Sequence, residues 1–120
     1  MQSHGAASIR VFALIVGGVS LLSLGDLSAE AKDPVTYQIA LKGQTFVPAE
    51  LNVPAGEPFI IKVKNENDAP AEFESKEMKI EKIVAGHGEI VVRVKALPGG
   101  TFEFWDEYHE DTARGTVVSK

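Results

Sequence analysis

Metal-capable side chains are concentrated in one short segment near the end of the chain. Residues 102–115 read FEFWDEYHEDTARG, and five carboxylate or imidazole residues of this segment fall within six positions: Asp106, Glu107, His109, Glu110 and Asp111. The 120-residue chain contains no cysteine. The segment therefore offers oxygen and imidazole ligands without thiolate, a set that suits hard and borderline ions such as Fe(III), Fe(II), Mn(II) and Cu(II).

Two pairs of residues are the main ligand candidates. Asp106 and His109 are three positions apart at the end of a predicted strand, where the chain turns, so both side chains can converge on one ion. Glu72 and Glu74 lie on one face of a short predicted strand, because side chains alternate along a strand with a period of two. If the two segments meet at one end of the fold, these four residues form a metal site.

Ordinary structural roles compete with this interpretation. Acidic runs in an acidic protein are commonly solvated loops. His87 lies in the turn sequence Ala-Gly-His-Gly, where it is expected to be exposed, and Met78 is expected in the core. Glu81 fits either a further ligand or an exposed charge.

The sequence contains none of the common catalytic motifs. It has no G-x-S-x-G, no phosphate-binding loop and no dinucleotide-binding glycine fingerprint. No serine lies in a context that supports a triad with His87 or His109, and nothing selects a pair of carboxylates for glycoside chemistry. The sequence favours a metal-binding role over an enzymatic one. It leaves open whether the protein is also an enzyme.

The N-terminal residues have the layout of a secretory signal peptide. Arg10 provides a positive charge, residues 11–24 form an apolar run, and Ala29-Glu30-Ala31 is a small-x-small cleavage site. We expect a cleaved signal peptide over residues 1–31 and a periplasmic domain over residues 32–120, with an uncleaved anchor as the alternative.

The mature domain would hold 11 basic and 15 acidic residues, a formal charge of −4. This charge disfavours nucleic acid as a partner and suits a cation.

Short alternating runs separated by glycine and proline predict an all-β fold. The mature sequence contains about seven or eight such runs, spaced by about 8 to 12 residues. Clear examples are residues 37–41, 58–64 and 89–94, and strong turn signals lie at residues 54–57 and 97–100. The pattern predicts a Greek-key β-sandwich or barrel.

The arrangement of these segments resembles a cupredoxin. Residues 46–56 (FVPAELNVPAG), followed by the strand that ends at Asn65, are similar to the front half of that fold. Residues 98–104 (PGGTFEF) and 115–118 (GTVV) are similar to its closing hairpin. The resemblance covers essentially all of the predicted mature chain.

Other segments resemble more specifically the cupredoxin-like proteins of bacterial iron uptake. These are residues 72–75 (EFES), 81–82 (EK) and 104–115 (FWDEYHEDTARG). The proteins concerned are the small periplasmic component of Ftr-type ferrous iron systems and the N-terminal domain of EfeO-type proteins.

The resemblance also identifies where this chain departs from a blue-copper protein. Asp106 takes the position of the copper-binding cysteine, His109 that of the following histidine, and Arg114 lies about where the methionine would be. Glu72 or Glu74 replaces the first histidine. Without a thiolate there is no blue-copper centre, and the harder ligand set is expected to bind Fe(III) or Cu(II), or to assist oxidation of Fe(II).

The resemblance implies a periplasmic protein that binds iron or copper ions and takes part in iron uptake. Its implied partners are an inner-membrane iron permease and a periplasmic iron-binding protein. The alternatives are a copper electron-transfer protein and a non-metal interaction module on a cupredoxin scaffold, since β-sandwiches host many functions.

Overall fold

Buried apolar side chains alternate with exposed ones along most of the chain, and these alternating runs form β-strands. The structure is a computed structural model that describes residues 33–120. The strands are β1 Val35–Lys42, β2 Thr45–Val47, β3 Glu50–Val53, β4 Phe59–Asn65, β5 Ala71–Ser75, β6 Ile80–Val84, β7 Glu89–Val94, β8 Gly100–Asp106 and β9 Arg114–Ser119. A 3₁₀ turn, Glu107–His109, follows β8. The predicted signal peptide, residues 1–31, lies outside the described residues.

The strands form two sheets of mixed strand direction. One sheet has the order β2-β1-β4-β7 and the other β3-β9-β8-β5-β6. The pairs β1–β4 and β3–β9 are parallel, and the remaining pairs are antiparallel. The predicted all-β sandwich is confirmed, although residues 33–120 contain nine strands rather than seven or eight. Pro48 and Ala49 separate β2 from β3, which join opposite sheets.

Three phenylalanines from three different strands form the centre of the core. Phe46, Phe73 and Phe104 are each at most 3% exposed, and their ring centroids lie 5.1 to 5.9 Å apart. Such aromatic pairs contribute about 0.5 to 1.5 kcal/mol each beyond area burial. Gly115 pairs with Phe104, and a Cβ at this position would overlap the Phe104 ring. Glycine therefore lets β9 lie close to β8, the strand that ends in Asp106.

A tight turn joins β5 to β6 and sets their register. The Ser75 hydroxyl accepts a hydrogen bond from the backbone N–H of Met78 at 3.2 Å. Met78 is buried in the core, which confirms its predicted position. The resulting register pairs Glu74 directly with Glu81.

A buried asparagine fixes the loops that surround the start of β5. The Asn65 amide donates to the carbonyl oxygens of Ala69 at 2.8 Å and Val84 at 3.2 Å, and its Oδ1 accepts from the backbone N–H of Asn67. These bonds tie the end of β4 to the end of β6. Within residues 33–120, no helix is long and apolar enough to cross a bilayer.

Candidate metal centre

Asp106 is a buried carboxylate at the end of β8, and its oxygens are already hydrogen-bonded. The residue is 2% exposed. Its Oδ1 accepts from the backbone N–H groups of Glu72 at 3.0 Å and Tyr108 at 3.1 Å. The second of these bonds caps the 3₁₀ turn. Asp106 thus joins β5, β8 and the turn through its side chain.

His109 lies at the end of the 3₁₀ turn and faces this carboxylate. Its Nδ1 is 3.1 Å from Asp106 Oδ2, and its side chain is 45% exposed. When Nδ1 carries the proton and donates to the carboxylate, Nε2 keeps its lone pair for a ligand. A carboxylate that orients a histidine in this way is common behind metal sites. The pair therefore presents one imidazole nitrogen in a fixed direction.

Three glutamates form a cluster on the outer face of β5 and β6. Each of Glu72, Glu74 and Glu81 offers a carboxylate oxygen, and these oxygens lie within 4.8 Å of one another. Alternation along β5 directs Phe73 inward and the two glutamates of this strand outward. The hairpin register then brings Glu81 opposite Glu74. We call these three residues the outer trio.

The outer trio repels additional negative charge. Partial burial raises the pKa of Glu74, and the nearby carboxylates of Glu107, Glu81 and Glu72 raise it further, in that order. Lys76 opposes this shift by lowering the pKa. The folded protein therefore disfavours the ionised form of Glu74, and a bound cation would remove that cost.

An aromatic residue borders the outer trio, and a cationic residue lies over its ring. Trp105 pairs with Glu74 across the β5–β8 ladder, and its indole N–H donates to Glu107 Oε1 at 2.6 Å. The Arg114 guanidinium lies 5.0 Å from the centroid of the Trp105 ring and 2.9 Å from Glu103 Oε1. Trp105 is half-buried on this outer face.

The four predicted ligands lie in two adjacent groups. Glu72 and Glu74 face outward in the outer trio, whereas Asp106 pairs with inward-facing Phe73 and binds His109. The backbone of Glu72 links the groups, because its N–H donates to Asp106. Convergence of all four side chains on one ion remains a prediction.

Glu81 is the member of the cluster whose role the sequence left open. The sequence feature that could have identified Glu81 is its spacing from Glu74, because a turn over residues 76–79 places the two residues opposite each other in the hairpin. His87 is exposed, as expected, and its Nε2 lies 2.6 Å from Asp68 Oδ1. The outer trio includes neither His87 nor the buried Met78.

The donor set decides which metal chemistry fits. The chain has no cysteine, so a copper–thiolate centre does not fit it. Carboxylate oxygens and one imidazole fit Fe(III), Fe(II), Mn(II) or Cu(II). Asp106 has its Oδ1 committed to two backbone N–H groups.

Comparison with known proteins gives both a family and a relative. Residues 12–119 match a family model described as the cupredoxin-like domain. The chain is 33% identical over 81 residues to the uncharacterized protein RP394 of Rickettsia prowazekii (strain Madrid E). This alignment covers 68% of the chain and 65% of the relative, so the chain spans about two thirds of that protein's length.

Solved structures of similar fold include copper proteins. Auracyanin A, a blue copper protein of Chloroflexus aurantiacus, has a TM-score of 0.64 at 19% identity, covering 73% of this chain and all of that one. The metal-binding domain of the Cu(I)-exporting P-type ATPase CopA of Streptococcus pneumoniae, solved with Cu(I), has a TM-score of 0.64 at 17% identity. That match covers 76% of this chain and 91% of the other. At these identities the likeness establishes the fold.

Proposed function

The chain belongs to the cupredoxin-like domain family, and from that premise we propose that it is a periplasmic protein that binds iron or copper ions through carboxylate and imidazole ligands. The observation that carries the proposal is the outer trio, in which three carboxylates lie within 4.8 Å of one another. The raised pKa of Glu74 supports it, because desolvation and then repulsion between carboxylates disfavour the ionised form, and a bound cation favours that form. The signal-peptide layout of residues 1–31 supports the periplasmic location.

The proposed roles follow from the position of each side chain. Glu72 and Glu74, with Glu81, would supply carboxylate oxygens to the ion. His109 would supply Nε2, and Asp106 would orient it through Nδ1 in addition to its own predicted role as a ligand. An oxygen-rich set stabilises the higher oxidation state of iron or copper, so these residues favour Fe(III) over Fe(II) and Cu(II) over Cu(I).

We propose that this metal binding serves iron uptake. Support comes from the resemblance of residues 72–75 and 104–115 to the cupredoxin-like proteins of iron uptake systems. In this role the protein would assist oxidation of Fe(II) to Fe(III), with an external oxidant such as dioxygen accepting the electron. It would pass iron to an inner-membrane permease, together with a periplasmic iron-binding protein.

Calorimetric titration with Fe(II) under anaerobic conditions, Fe(III), Mn(II) and Cu(II) tests the metal-binding proposal. We expect saturable binding that is strongly weakened in the Glu74→Gln/Glu81→Gln double variant. The matched control is Glu50→Gln/Glu57→Gln, which removes the same charge from exposed positions outside the trio. Equal binding by wild type and the trio variant, or no binding of any of these ions, would contradict the proposal.

Two further measurements separate the alternatives. We expect no intense blue absorption with Cu(II), because the chain lacks a thiolate; such a band would support a copper electron-transfer protein. Cells that lack the protein should grow poorly when ferrous iron is scarce and recover with wild type but not with the trio variant. Normal growth of those cells would contradict the uptake role and leave metal binding standing.

A further inference from the structure

Four cationic side chains line a groove between the free edges of the two sheets. β6 is the last strand of one sheet and β7 the last strand of the other. Two clefts of about 510 and 430 Å³ lie between these edges, and they are lined by Lys79, Lys82, Arg93 and Lys95 among other residues. A third cleft, of about 280 Å³, continues past Arg93 toward the start of β4. We call this continuous depression the β6–β7 groove.

The groove is positive in a protein that is negative overall. Among residues 33–120, none of its four cations forms a salt bridge within 4.0 Å. Elsewhere Lys62 pairs with Glu89 and Arg114 with Glu103. Two glutamates, Glu77 and Glu81, also line the clefts, so the groove keeps an excess of positive charge while the whole chain carries −5. Unpaired cations in a concave site favour an anionic ligand.

Both walls of the groove are strand edges with unpaired backbone. β7 pairs with β4 on one side only, and β6 pairs with β5 on one side only. The N–H and C=O groups on the other side of such a strand can pair with an added strand. The six residues of β7 give an edge of about 20 Å at about 3.3 Å per residue.

Protection against aggregation is the ordinary explanation for lysines on an edge strand. Exposed apolar residues on the same edges argue against protection as the whole explanation. Val91 on β7 is 51% exposed and Ile83 on β6 is 61% exposed. An extended peptide that adds to an exposed sheet edge gains affinity from main-chain hydrogen bonds and specificity from sites for its alternate side chains.

We propose that the β6–β7 groove docks an extended acidic segment of a partner protein, which pairs as an added strand with the free edge of β7. Val91, Arg93 and Lys95 are two residues apart, the spacing at which an extended segment presents side chains on one face. The segment would place an apolar residue near Val91 and carboxylates near Arg93 and Lys95. β7 is favoured over β6 because Glu81 of β6 belongs to the outer trio, which repels an acidic chain.

The first test uses a fluorescently labelled peptide that presents one valine and two glutamates on one face of the strand, with threonine at the intervening positions. Fluorescence anisotropy with the purified protein should give saturable binding. The Arg93→Glu/Lys95→Glu variant should bind about tenfold more weakly or worse, because like charges then face each other. The matched control, Lys42→Glu/Lys120→Glu, makes the same change in net charge outside the groove and should bind like wild type. Unfolding curves of both variants establish that each is folded.

A second test separates strand addition from simple charge attraction. A peptide methylated on alternate backbone nitrogens keeps its charges but loses the N–H groups that a strand donates, and we expect it to bind about tenfold more weakly. Backbone amide NMR shifts should be largest at residues 91–95.

Four outcomes would overturn the proposal. They are an equal loss in the Lys42→Glu/Lys120→Glu control, equal binding of the methylated peptide, shifts confined to other strands, and displacement of the peptide by citrate at matched ionic strength. The last outcome would identify a small-carboxylate site instead. None of these measurements depends on a bound metal, so they leave the metal-binding proposal untouched.

Discussion

The outer trio and Asp106 contain the same chemical group, a carboxylate, on neighbouring strands of one sheet, but the surroundings of these carboxylates differ. Asp106 is 2% exposed and receives hydrogen bonds from two backbone N–H groups and an imidazole contact. The carboxylates of the trio lie on the outer face, where desolvation and then repulsion from neighbouring carboxylates raise the pKa of Glu74. The difference indicates that Asp106 stabilises the fold and orients His109, while the trio keeps its lone pairs available for a ligand.

Removal of the buried carboxylate should give the largest effect. Asp106→Ala leaves the N–H groups of Glu72 and Tyr108 without their acceptor, and we expect the free energy of unfolding to fall by about 3 kcal/mol. Urea denaturation of metal-free protein measures this. Asp106→Asn should lose less, because its amide oxygen can still accept both bonds. A loss under about 1 kcal/mol for the alanine variant would contradict the structural role.

Removal of one charge from the trio should affect binding rather than folding. We expect Glu74→Gln to lower the affinity for the preferred ion by about tenfold, since carboxylate charge and number set the strength of such sites. Calorimetry on Glu74→Gln and on the Glu57→Gln control makes the measurement. An unchanged affinity would show that the ion binds elsewhere.

The pH dependence of stability should differ between wild type and Glu74→Gln. Because folding raises the pKa of Glu74, ionisation of this group costs stability above its folded pKa, and the cost disappears as the pH falls through that pKa. The metal-free Glu74→Gln variant should therefore be more stable than wild type at neutral pH and converge with it in acid. Denaturation at a series of pH values checks this. If the difference in unfolding free energy between the variant and wild type did not change with pH, the ionisation of Glu74 would not be its cause.

The smallest expected effect concerns Arg114, the cation over the Trp105 ring. Arg114→Ala removes the contact with the Trp105 ring and the pair with Glu103, and we expect a loss of about 0.5 to 1 kcal/mol. A change in Trp105 fluorescence should accompany the loss, because the chain has one tryptophan. Unchanged emission would mean that the guanidinium does not occupy this position in solution.

The sequence predicted what depends on neighbours along the chain. Alternation and glycine–proline turns identified the all-β sandwich, and Glu72 and Glu74 share a face because their spacing is two. The core position of Met78 also followed from its apolar surroundings.

Contacts that depend on the register between strands far apart in the sequence were harder to predict. The β5–β8 register pairs Phe73 with Asp106 and Glu74 with Trp105. Those pairs decide that Asp106 turns inward while Trp105 faces outward. The role of Glu81 depended on the length of the β5–β6 turn, which fixes its position opposite Glu74.

The place of β9 in its sheet has a consequence for the timing of folding during synthesis. This strand covers residues 114–119 and is the last of the described strands along the chain, yet it lies between β3 and β8 in the sheet. β3 has no other partner there, so the five-stranded sheet stays in two parts until β9, the last of the nine described strands to be synthesised, has left the ribosome. A nascent chain of this topology should therefore remain incompletely folded until β9 is available, and loss of residues 114–119 should separate β3 from the rest of the sheet.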